Sequence, residues 1–180
     1  FWLKFLKDCG MLTTKEAVKA FFVGRWKFHK ELNYRVGGGC GVVKGTATFT
    51  PTPTHPELLL YEETGDLQLE GASSSLSVSK KYAFNTGVWP VEVYFVDDST
   101  KLEDPPVVEG AGFHTSFFHS LPLANDAVVP TVAAFSHLCI QDLYTGELRF
   151  PTGSSFEWNW TIVGPKKDGT ILTTFERDGS

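Results

Sequence analysis

Hydrophobic and polar positions along the chain follow two different periods, and the change falls near residue 23. Before it the spacing is helical. Val18, Phe21 and Phe22 share one face behind Thr13-Thr14-Lys15-Glu16, a capping box that satisfies the first backbone donors of a helix. Phe1 to Cys9 also reads as a helix, stopped by Gly10. Its apolar residues Phe1, Trp2, Leu3, Phe5, Leu6 and Cys9 wrap more than one face, which suits packing on its own domain or docking on another subunit.

After Val23 the period becomes two, the mark of half-buried strands. Trp26, Phe28 and Leu32 alternate with Lys27, His29 and Glu31, and Val43, Ala47 and Phe49 alternate with Lys44, Thr46, Thr48 and Thr50. Leu58–Glu63 and Asp66–Glu70 read as two strands joined by a turn at Thr64-Gly65. Leu76, Val78, Lys80, Tyr82 and Phe84 mark the next strand, and Trp89–Val96 follows it. Phe113–His119, Ala133–Tyr144, Leu148–Phe150, Phe156–Val163 and Ile171–Arg177 complete the series. Asp97–Gly110, acidic and proline-containing, reads as an irregular lid or loop. About ten strands with short turns, and helix only at the front, predict a mainly β protein: a closed antiparallel β-barrel with an N-terminal helical cap. The expected division is a helical extension over 1–23 and a barrel domain over 24–180.

Composition narrows the use of such a fold. With 14% aromatic residues, fifteen of them Phe and five Trp, the interior is large and apolar. A formal charge of −5 argues against general nucleic-acid binding, which needs a basic face. No apolar run reaches the roughly 20 residues of a membrane-spanning helix. Cys9, Cys40 and Cys139 are odd in number and widely spaced, which fits a reducing intracellular compartment, cytoplasm or mitochondrial matrix, rather than a disulfide framework or a structural metal site. The chain opens at Phe1 rather than Met, which leaves room for an upstream targeting segment.

Gly24-x-Trp26 opens the first strand and Arg177 closes the last. In a closed barrel those strands are neighbours, so the guanidinium can lie flat on the indole as a structural clasp of Gly24, Trp26 and Arg177. This arrangement resembles the calycin group, which contains lipocalins and fatty-acid-binding proteins. Further motifs resemble the family called domain of unknown function 6314. They are Gly45-x-Ala47-x-Phe49, Tyr61-Glu62-Glu63-x-Gly65, Phe113-His114, His137-x-Cys139-x-x-Asp142-x-Tyr144, and Trp160 leading to Gly164-Pro165-Lys166-Lys167-Asp168. The resemblance covers residues 20–178 and implies a barrel. It implies no reaction.

The candidate chemistry is sparse. The sequence has no His-Glu-x-x-His, no Gly-x-Ser-x-Gly and no glycine-rich phosphate loop in strand-to-helix context. Strand parity puts Phe135, His137, Cys139 and Leu143 on one face of 133–144 and Leu138, Ile140, Asp142 and Tyr144 on the other. His114 and His137 are the polar candidates for the interior. They read as satisfied core or rim residues bonded to a carbonyl or to Asp142, as anchors for a ligand, or as a metal ligand or catalytic base. Glu62 and Glu63 are neighbours on a strand, so at most one faces inward and they cannot act as a paired acid and base.

The leading expectation is non-enzymatic binding of a small, mostly apolar ligand. Trp26, Trp158, Trp160 and Phe135 would form the walls, and His114, His137 and Tyr144 the polar contacts. One alternative is an accessory subunit of a larger assembly, docked through the Phe1–Cys9 helix. The other is a small enzyme with a histidine base in the lumen.

Overall fold

The computed structural model describes residues 12, 14–96, 115–123 and 131–179. The helix expected at Phe1–Cys9, the stretch Asp97–Gly110 and His114 lie outside the described residues. One helix, α1 (Lys15–Phe22), precedes ten strands. These are β1 (Gly24–Val36), β2 (Gly41–Pro51), β3 (Leu58–Leu69), β4 (Leu76–Asn85), β5 (Val91–Val96), β6 (Thr115–Leu121), β7 (Thr131–Cys139), β8 (Asp142–Thr152), β9 (Ser155–Val163) and β10 (Asp168–Arg177). They form a single antiparallel sheet in the order β6-β5-β4-β3-β2-β1-β10-β9-β8-β7.

First and last strands are therefore neighbours, with Trp26 opposite Arg177 in the ladder. The sheet curls until its two edges, β6 and β7, face each other. No ladder joins them among the described residues. The His137 Nδ1–H donates to the Phe118 carbonyl at 3.1 Å across the seam instead. The result is a nearly closed barrel.

One end is plugged. Thr14 caps α1 by accepting from the Ala17 amide at 3.1 Å, and the helix buries Val18 and Phe22 in the barrel end. Phe22 stacks on Phe49 at 4.8 Å and meets Phe84, Phe150 and Phe156. Trp26 Nε1–H donates to the Phe22 carbonyl at 2.9 Å, and the Arg177 guanidinium carbon lies 4.1 Å from the centre of the Trp26 ring. Arg177 also donates to the carbonyls of Val23 and Phe21, so one side chain caps the helix end and covers the indole. The opposite end carries the β1–β2, β3–β4, β7–β8 and β9–β10 turns, and no helix among the described residues covers it.

Two strand boundaries depart from the sequence reading. Thr64-Gly65 makes no turn, because β3 runs unbroken from Leu58 to Leu69. Gly65 faces Gly45 across the ladder, and a Cβ on Gly45 would lie 2.0 Å from the Thr64 carbonyl oxygen. The glycines admit a close approach of two strands, as barrel curvature requires. The strand expected over Ala133–Tyr144 is instead a hairpin, turning at Ile140-Gln141 with Ile140 at φ 61°. Leu148–Phe150 belongs to the same long strand as Asp142.

No helix among the described residues is long and apolar enough to cross a membrane, which says nothing of strands.

Candidate functional site

A cavity of about 470 Å3 opens from the unplugged end into the barrel. Its wall is aromatic on one side, with Tyr82, Phe95, Phe118, Trp158 and Trp160, and aliphatic towards the mouth, with Leu32, Val43, Leu67, Val78 and Ile171. Phe118 organises the aromatic side. Its ring stacks between Tyr82 at 5.6 Å and Trp160 at 5.2 Å, and touches Phe95 at 4.1 Å.

Three charged side chains project into this apolar space because each sits on the inward parity of its strand. Lys30 follows Trp26 and Phe28 on β1, Glu63 follows Leu59 and Tyr61 on β3, and Lys80 lies between Val78 and Tyr82 on β4. Lys30 Nζ pairs with Glu63 Oε1 at 2.5 Å, and the Tyr61 hydroxyl donates to Glu63 Oε2. Burial lowers the Lys30 pKa below the usual lysine value, against the pull of Glu63. Burial first, and the Glu63 charge second, push the Tyr61 hydroxyl pKa well above its usual value. Crowding also lowers the Lys80 pKa, with Glu63 opposing. Glu62 faces outward to Lys81 at 3.3 Å, so the two adjacent glutamates have separate roles.

The hairpin at Ile140-Gln141 changes which residues share a face. Tyr144 lies directly opposite His137 in the ladder, on its own side of the sheet, with ring centres 6.5 Å apart. A turn between them reverses the parity that an unbroken strand would impose. Both residues line the cavity, as do Trp158, Trp160 and Cys139. The His137 bond to the Phe118 carbonyl places a hydrogen on Nδ1 and turns Nε2 away from it. Among the described residues Asp142 is no partner of a histidine. It is buried and accepts from the amides of Lys166 and Lys167 at 3.0 and 3.2 Å, fixing the turn into β10. At the rim a Tyr144 hydrogen bond raises the Lys167 pKa.

Two of the expected wall residues stand off the cavity. Trp26 is fully buried at the plugged end, packed on Phe156 at 4.9 Å. Phe135 lies behind the wall, stacked on His119 at 3.9 Å with the rings 4° from parallel. His119 is the inward histidine that parity did not indicate. The register of β6 shifts opposite Val93 and Tyr94, which pair with His119 and Phe117, so Phe118 is an extra residue in a bulge. Phe118 and His119 consequently both turn inward, although they are adjacent. Burial pulls the His119 pKa down to about 4, which keeps the ring neutral. Its Nδ1 meets the Ser120 carbonyl at 3.2 Å, while its Nε2 and the Nε1–H of Trp158 are buried without a hydrogen-bond partner among the described residues.

Among the described residues no group of three His, Cys, Asp or Glu side chains is placed to hold a metal ion. Cys40 and Cys139 are free thiols.

The model of the family of unknown function DUF6314 matches residues 22–177, from the end of α1 to the clasp arginine. The chain belongs to that family. The DUF6314 match thus takes in the whole barrel, including Lys30, Glu63, Lys80, His137 and Tyr144. No curated protein sequence matches the chain. Among solved structures, this DUF6314 barrel is similar to the S-type phycobiliprotein lyase CPES from Guillardia theta, with a TM-score of 0.57 and 9% sequence identity over 98% of each chain. At that identity the likeness is one of fold.

Proposed function

We propose that this barrel binds a small, mostly apolar molecule in its open cavity, without acting on it. The aromatic-walled space of about 470 Å3 carries the reading, since it is of the size of ordinary ligand pockets and its polar groups are few. Ring surfaces on Tyr82, Phe118, Trp158 and Trp160 provide apolar burial, at roughly 25 cal/mol per Å2 removed from water. His137 and the Tyr144 hydroxyl set orientation.

The test uses phenylnaphthylamine, a neutral fluorophore that brightens in apolar surroundings. The full chain should bind it saturably at one molecule per barrel. Val78→Trp, which fills the cavity from β4, should abolish binding while the circular dichroism spectrum is retained. Absence of saturable binding, or equal binding by the filled variant, removes the reading.

A further inference from the structure

Among the described residues, the charges lining the cavity do not cancel. Lys30, Glu63 and Lys80 are the lysine and carboxylate side chains among its described lining residues. Glu63 is fully engaged, with one oxygen on Lys30 and the other on the Tyr61 hydroxyl. Lys80 has no carboxylate within salt-bridge distance among the described residues, and its ammonium lies 5.3 Å from the centre of the Tyr82 ring. The next residue along β4, Lys81, points outward to Glu62. Among the described residues the cavity therefore presents one ammonium more than it presents carboxylates, beside a wall of aromatic rings.

Lys80 is exposed on the cavity wall beside Tyr82, so its ammonium is open to pairing with an incoming anion. The missing charge is a single one. We infer that the molecule held in this cavity is a monoanion, with a ring-bearing apolar body against Phe118, Trp158 and Trp160 and one carboxylate on Lys80. This rests on the cavity being a ligand site. A neutral ligand leaves Lys80 without a counterion, and a doubly charged head group overshoots the balance.

The experiment displaces phenylnaphthylamine from the full chain with naphthylacetate and, separately, with naphthylethanol, which has the same rings and no charge. For the native chain the acid should displace at a concentration roughly tenfold or more below that of the alcohol, the usual gain from a charged hydrogen bond. Lys80→Met should bring the acid and alcohol curves together, each read against that variant's own phenylnaphthylamine affinity. Lys80→Arg should keep the preference for the acid, which also covers the case of a Met variant that folds poorly. Equal displacement by acid and alcohol on the native chain overturns the charge assignment and leaves the cavity reading standing. So does a preference that survives in Lys80→Met. Failure of phenylnaphthylamine itself to bind removes both.

Discussion

His119 shows what one residue does to the barrel and what the sequence conceals about it. Its ring is stacked on Phe135 and its pKa is lowered to about 4, chiefly by burial. An unfolded histidine titrates near 6.5, so between these values the unfolded chain takes up a proton that the folded chain refuses. The stabilisation is complete above pH about 6.5 and is lost as pH falls towards about 4, a change of about 3 kcal/mol. Urea unfolding at neutral pH and near pH about 4.5 should differ by most of that amount, and His119→Phe should flatten the difference. An unchanged slope in the variant would show that other groups carry it. Parity did not find His119, because a bulge consumes one residue and turns two neighbours the same way. Lys30, Glu63 and Lys80 are different. Each interrupts an apolar row at period two (Phe28-x-Lys30-x-Leu32, Tyr61-x-Glu63, Val78-x-Lys80-x-Tyr82), so the inward charges stand in the sequence itself.

Among the elements, the legible ones are those whose boundaries carry turn chemistry. The Gly37–Gly41 run, the 164–167 turn and the capped α1 announce themselves through glycine, proline and a Thr cap. The β7–β8 hairpin does not, because Ile140-Gln141 offers neither a glycine nor an asparagine where a positive φ is required. A β-branched residue at φ 61° costs on the order of 1–3 kcal/mol, and Ile140 is also 79% exposed, so it recovers nothing by burial. Ile140→Gly should raise stability by about 1 kcal/mol, visible as a higher thermal midpoint. A lower midpoint would mean that the isoleucine packs on something in solution. The opposite error occurred at Gly65, where a residue typical of turns lies inside a strand. The close approach of Gly45 explains it, and only the pairing of β2 with β3 shows that.

At the scale of the whole molecule, the two ends and the seam have different strengths. The plugged end is an interlocked set of rings around Phe22, Phe49 and Phe156, sealed by Trp26 and Arg177. The strands β1, β2, β9 and β10 each have ladder partners on both sides, whereas β6 and β7 have one each. Hydrogen exchange should follow this division. Amides of β1 and β10 should exchange at least about a hundredfold more slowly than those on the free edges of β6 and β7. Uniform protection around the barrel would mean that the seam is zipped in solution. The seam has a further consequence. In a fully laddered barrel, girth is fixed by strand number and stagger. Among the described residues the seam is fastened by the His137 bond to one carbonyl and by the ring contacts of Phe118 with His137 and of His119 with Phe135. Releasing that fastening breaks no ladder hydrogen bond among the described residues. On the proposed reading of the cavity, the barrel would be an adjustable cuff that fits molecules of unequal width.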